Sequence, residues 1–222
     1  MDVTTALKNR KSVRAFTAQP LEREVIRAIL DAARHAPSGV NMQPWEVAVV
    51  TGETKRRLDA ALEGAFKEGV APSMAYDYYP KSWEEPFKSR RKACGLQMYG
   101  ALGITREDQT RQAEQWAANF RAFDAPAVLF CFIDASLATG AFIDCGIFLQ
   151  SVMLAATERG VATCTQAALA EYAEVVKDLL KIAPDKVLVA GVAMGYEAKE
   201  APINGYRTPR EEIENFVTFY DG

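Results

Sequence analysis

From Phe142 to Thr157 the chain is apolar nearly all the way round a helix, with Cys145, Ile147, Phe148, Leu149, Val152, Met153 and Leu154 distributed over its faces. A helix of that kind has to be buried on most sides. In a chain of 222 residues this points to a subunit interface as well as a core. Arg159 and Gly160 supply its C-terminal stop. The rest of the chain must provide partners for it. Val47 to Val50, Ala127 to Ile133 and Val187 to Met194 read as buried strands, and Val161 to Cys164 as a shorter one. Three stripes predict amphipathic helices: Val25, Ile26, Ile29, Leu30 and Ala33 after Pro20; Leu58, Ala61, Leu62, Ala65 and Phe66; and Tyr172, Val175, Val176, Leu179 and Leu180. Asp2 is placed to cap a short helix carrying Val3, Ala6 and Leu7. Helices and strands alternate without a strict βαβ rhythm. No repeat or linker divides the chain, so residues 1–222 are expected to form a single domain.

Between 69 and 123 the character changes. Pro72, Met74, Tyr76, Tyr78, Tyr79, Pro80 and Trp83 form an aromatic loop, followed by two helical patterns on either side of Leu102 and Gly103. This stretch is expected to be an inserted helical lid, its aromatics either shaping a ligand site or covering a core edge. Lys88 to Lys92 reads as a solvated helix face, with a nucleotide phosphate as the alternative contact. Near the end, Asn215 to Phe219 alternates as a strand would, and such a strand needs a sheet edge, its own or a partner's.

Charge and motifs remove several kinds of chemistry. A net charge of -3 without a dominant basic block argues against nucleic acid or an anionic membrane as partner. The first residues contain no apolar leader, and Ala125 to Ile133 is too short to span a bilayer, so a cytoplasmic location is expected. Cys94, Cys131, Cys145 and Cys164 are too scattered for a disulfide framework or a zinc site and are expected to be buried free thiols. His35 is the single histidine, and HExxH, CxxC, GxSxG, GxGxxG and Walker patterns are missing from the sequence. No metal is expected, and an enzyme built on this chain has to take its reactivity from an organic cofactor.

The polar stretches suggest what kind. Arg10, Ser12 and Arg14 alternate, so an extended backbone points them to one side, and Arg207 and Arg210 lie in the irregular C-terminal segment. Guanidinium forks suit phosphate. Ala36 to Trp45 holds Ser38, Asn41 and Gln43 between Pro37 and Pro44, with Gly39 free to take a positive φ. It is either a stiff ligand-holding loop or a surface turn joining helix to strand.

The run Arg10-Lys11-Ser12-Val13-Arg14-Ala15-Phe16, then Pro20, then Ala32 to Trp45, resembles the N-terminal signature of the FMN-dependent nitroreductase family. Gly160, the turn Thr165 to Ala168, Gly195-Tyr196, Pro202, Asn204, Arg207 and Arg210 are similar to its C-terminal half. The resemblance implies an α+β fold: a central mixed, mainly antiparallel sheet flanked by helices, in an intertwined homodimer whose C-terminal strand extends onto the partner. It implies non-covalent FMN at the interface. Arg10 and Ser12 would hold the phosphate and ribityl end, with Lys11 among the cofactor-binding residues; Arg14 would lie by flavin N1 and O2, and Arg207 and Arg210 would complete the clamp. Pro37, Ser38, Gly39, Asn41 and Gln43 would come from the other subunit. Gln166, Ala167 and Ala168 would face flavin N5 and O4, while Thr165 stands where related sequences often have proline. The asparagine and lysine pair that larger members place after the first strand has no counterpart here. The implied activity is ping-pong hydride transfer from NAD(P)H through flavin N5 to a nitroaromatic or quinone-like acceptor, with Tyr76, Tyr78, Tyr79 and Trp83 shaping acceptor choice and no catalytic side chain required. The alternatives are reductive dehalogenation or flavin breakdown on the same fold, or a non-catalytic flavin store.

Overall fold

The strand Ala127–Asp134 is buried from Ala127 to Ile133, and its side chains alternate between two cores. Leu129, Cys131 and Ile133 enter one, and Val128, Phe130 and Phe132 the other, as a two-residue period requires. Around it, a computed structural model describes residues 1–221. The helices are α1 (Val3–Asn9), α2 (Arg23–Ala33), α3 (Gly52–Lys67), α4 (Phe87–Ala101), α5 (Gln109–Ala117), α6 (Gly140–Glu158) and α7 (Ala173–Leu180). The strands are β1 (Glu46–Thr51), β2 (Ala127–Asp134), β3 (Ala162–Gln166) and β4 (Lys186–Gly195). The sheet runs β1-β2-β4-β3, antiparallel throughout, and its parallel component is an isolated bridge between Ser12 and Thr163. Residues of α2 and α6 line the first core and residues of α3 and α7 the second, making the fold α+β in three layers.

Local sequence explains the element ends. Asp2 Oδ1 accepts from the Thr5 N–H at 2.9 Å, satisfying a donor that the first turn of α1 leaves free. The end of α7 takes the left-handed conformation at Lys181, φ 57°. A register shift leaves Val189 of β4 unpaired with β2, the mark of a bulge. At Gly191 an added Cβ would fall on Leu169, so the glycine lets the 3-10 turn Ala168–Tyr172 pack directly on β4.

Three expectations take a different form in the single chain. The helix α6 buries Ala141, Asp144, Cys145, Phe148, Leu149, Val152 and Ala156, but leaves Ile143 at 67% and Ile147 at 38% exposure, because one chain covers only one of its faces. By length and mean hydropathy, 1.5, α6 alone among the described residues would suit a membrane span. Its packing against α2 and the sheet accounts for the apolar stripe instead. Asn215 to Phe219 forms no strand. A 3-10 turn occupies Ile213–Asn215, and Phe216 and Phe219 stay exposed. The sheet edges are β1 and β3, and the Ser12 bridge already meets β3. Finally, Cys94 is exposed while the other cysteines are buried, because α4 has no buried face.

Candidate active site

The N-terminal polar strip lies along β3. Val13 donates to the Thr163 carbonyl at 3.0 Å, fixing the alternation of Arg10, Ser12 and Arg14 beside Cys164. A second fastening comes from the C-terminal segment. Asn204, 3% exposed, accepts from the Arg14 N–H at 2.9 Å and donates to the carbonyls of Ala15 and Ala198 at 2.9 and 3.0 Å. Its three bonds are made in the interior, where an unmet polar group is costly. The sequence marks Asn204 only as part of a motif, since its partners lie up to 190 positions away.

This fastening brings Arg10, Arg207 and Arg210 together. Burial, then the charges of Arg210 and Arg207, push the Arg10 guanidinium below its ordinary value. Arg207 donates to the carbonyls of Lys8 at 2.7 Å and Arg10 at 3.3 Å, and also to that of Asn9, so it caps the C-terminal end of α1. Arg210 bonds only within its own loop, to Thr208 and Pro209. Among the described residues no carboxylate neutralises the three. Lys11 differs, because its ammonium is held at 2.6 Å by Glu197 and at 2.6 Å by the Asn204 carbonyl.

Next to the strip opens a cavity of about 1170 Å³. Its floor includes Arg14, Phe123 and Cys164, and one wall is the turn Thr165 to Ala168. The Arg14 guanidinium stands 5.9 Å from the Phe123 ring and donates to the Tyr206 hydroxyl at 3.3 Å. Phe123 reaches that position through a left-handed turn at Ala122, Phe123 and Asp124, for which the sequence carries no glycine signal. Gln166, 5% exposed, donates through Nε2 to Asn119 at 3.0 Å, while its buried Oε1 has no partner. Thr165 donates to Met153 Sδ at 3.3 Å, and the Arg10 guanidinium approaches the same sulfur at 4.0 Å, which ties α6 to both.

The opposite wall belongs to the 69–123 segment. Tyr76, Tyr78 and Tyr79 line the cavity with the cavity-facing side of α4. Tyr76 is braced by Phe142, ring centroids 5.0 Å apart, and its hydroxyl donates to the Val189 carbonyl. Trp83 does not line the cavity; it packs behind Tyr79 at 5.4 Å.

The loop of Pro37, Ser38, Gly39, Asn41 and Gln43 does not line it either. Trp45 stacks on Phe148 at 4.8 Å, and the Gly39 N–H donates to Asp144 Oδ1 at 3.2 Å, so α6 holds the loop from both ends. The positive φ expected at Gly39 falls instead on Val40 (44°), Asn41 (58°) and Gln43 (48°). Ser38 Oγ accepts from the Gln43 N–H at 2.9 Å and secures that conformation. Val40, β-branched and 98% exposed, is the strained member.

The Nitroreductase family profile matches residues 7–196. Over 218 residues the chain is 35% identical to 4-nitrobenzoate reductase of Pseudomonas putida, covering 98% of this chain and 95% of the other. Over 216 residues it is 37% identical to nitrobenzene nitroreductase of Ectopseudomonas oleovorans, covering 96% and 94%. The crystal structure of the FMN and NADPH-dependent nitroreductase NfnB from Sphigopyxis sp. strain HMH superposes with a TM-score of 0.97 at 35% identity, covering 100% of both chains.

Proposed function

This chain belongs to the nitroreductase family, and we propose that it is an FMN-dependent oxidoreductase that uses NAD(P)H to reduce nitroaromatic compounds. The observation that carries the reading is the cluster of Arg10, Arg207 and Arg210, free of any described carboxylate, at the same N-terminal strip that sends Arg14 into the cavity. The donor set fits FMN. A phosphate dianion relieves the mutual repulsion of the three guanidiniums, each charge-assisted bond contributing about 1.5 to 3 kcal/mol. The methyl side chains of Ala167 and Ala168 leave the main chain of the turn accessible from the cavity.

FMN, when bound, supplies the two-electron carrier between dihydronicotinamide and acceptor. The protein's part is placement. Arg10, Ser12, Arg207 and Arg210 anchor the phosphate end, and Arg14 keeps a positive charge on the cavity floor. Lys11 acts through the fold, by pairing with Glu197, and not as a ligand. Tyr76, Tyr78 and Tyr79 line the space in which donor and acceptor alternate in a ping-pong order. The 69–123 segment serves as the lid of one domain.

We further infer a homodimer. Supporting it are the uncovered Ile143 and Ile147 of α6, the exposed Phe216, Phe219 and Tyr220, and the loop Pro37 to Gln43 standing away from its own chain's cavity. On this reading the loop completes the partner's site, and the protein is cytoplasmic.

Anaerobic mixing of the flavin-loaded protein with NADH or NADPH tests the function. Bleaching followed by reoxidation with a nitroaromatic is expected. Flavin that stays oxidised would indicate a storage protein, and a chain unable to take up FMN would sink both.

A further inference from the structure

The two relatives act on a carboxylate-bearing and a neutral nitroarene at nearly equal identity, so likeness leaves the charge of the acceptor open. The cavity is more specific. From α4 it receives Lys88, Arg91 and Lys92, whose i, i+3, i+4 spacing puts them on one helical face. None of the three meets a carboxylate among the described residues, whereas the adjacent Arg90, outside the cavity, is paired with Glu211 at 2.9 Å. The Arg91 guanidinium lies 5.2 Å from the Trp83 ring centroid, and Trp83 packs on Tyr79, which meets Tyr78 edge to face at 4.7 Å. A cation over a ring face is held there electrostatically without using its N–H donors. The cavity's carboxylates, Asp77 and Glu171, face a larger positive set in which Arg14 and Arg106 join the three of α4. Burial pushes the Glu171 carboxyl up.

We propose that the Lys88, Arg91 and Lys92 face of α4 is an anion subsite that binds the carboxylate of a nitroaromatic acid, with Arg91 as its specificity-determining residue. The proposal rests on the nitroreductase reading and names the acceptor class within it. An aromatic acid matches both parts of the surface: its ring the tyrosine faces, its planar carboxylate the Arg91 fork.

Binding of 4-nitrobenzoate and of neutral 4-nitrobenzamide to the oxidised, flavin-loaded protein, measured by calorimetry without nicotinamide, tests the subsite apart from turnover. The native protein is expected to bind the acid about tenfold or more tightly than the amide. Added salt should weaken the acid alone. The double substitution Arg91→Gln, Lys92→Gln should remove the preference, Arg91→Lys should retain part of it, and Arg90→Gln should retain all of it, with flavin content checked for each. Equal affinities in the native protein, or a preference that survives the double substitution, overturns the proposal. So does loss of NADPH over NADH discrimination with the acid preference intact, which would assign the cations to a dinucleotide phosphate. Selective binding of the acid without reduction of any nitroarene would leave the subsite standing and remove the nitroreductase reading.

Discussion

The Tyr76 hydroxyl donates to the backbone carbonyl of Val189, the β4 residue that the bulge leaves without a partner on β2. An irregularity in the central sheet thus fastens the loop that walls the cavity. Without it the Val189 carbonyl would need another donor in a half-buried place.

Burial pushes the Tyr76 hydroxyl up to about 12, so it remains a donor at any working pH. Tyr76→Phe should cost about 1 kcal/mol and loosen the loop, raising KM for the acceptor more than it lowers kcat. Urea unfolding and steady-state kinetics measure the two effects; a variant with unchanged stability and KM would show that the bond does not position the loop.

Arg207 closes the end of α1 and stands beside Arg10. Arg207→Ala is expected to weaken FMN binding about tenfold or more, read from the recovery of flavin fluorescence on release. Arg207→Lys should not restore it, because one ammonium cannot reproduce a fork that spans successive carbonyls. Full rescue by lysine would reduce the role of Arg207 to charge alone.

Asp59 gives a pH signature. Burial raises its carboxyl to about 6, outweighing the Lys55 ammonium at 2.5 Å. In the unfolded chain an aspartate titrates near about 3.9, so between these values the folded state binds more protons. Stability should therefore fall as pH rises from about 4 through about 6 and level off above. Asp59→Asn should flatten that part of the profile; unfolding midpoints across the window that keep the slope would place its origin in another group.

Ile147 tests the subunit arrangement. Ile147→Asp puts a charge on the uncovered face of α6 and should shift the protein toward monomer, with FMN affinity falling in parallel. Sedimentation and flavin titration on the same samples provide the check. A monomer with undiminished FMN binding would mean that each chain completes its own site.

Much of this architecture could be read in advance. The stripes of α2, α3 and α7, the alternation along β2 and the Asp2 cap depend on neighbours within a few residues, and their physics is local. The arginine strip and tail could be read from residue type and spacing as suited to an anion. What decided their use is long-range. Lys11 finds its partner in Glu197, and the seat of Arg14 depends on Asn204. The left-handed turn under Arg14 formed at Phe123 without a glycine, and the loop strain fell on Val40 instead of Gly39. Phe123 is held by packing on distant elements, whereas at Val40, 98% exposed, the bonds of Ser38 to Gln43 and of Gly39 to Asp144 hold a conformation whose strain costs roughly 1 to 3 kcal/mol. The sequence by itself determined the four strands and the buried stripes of α2, α3 and α7, because those patterns are local. Only the tertiary structure decided which cations were left unpaired and which side chains share a cavity, because both depend on contacts between residues far apart in the chain.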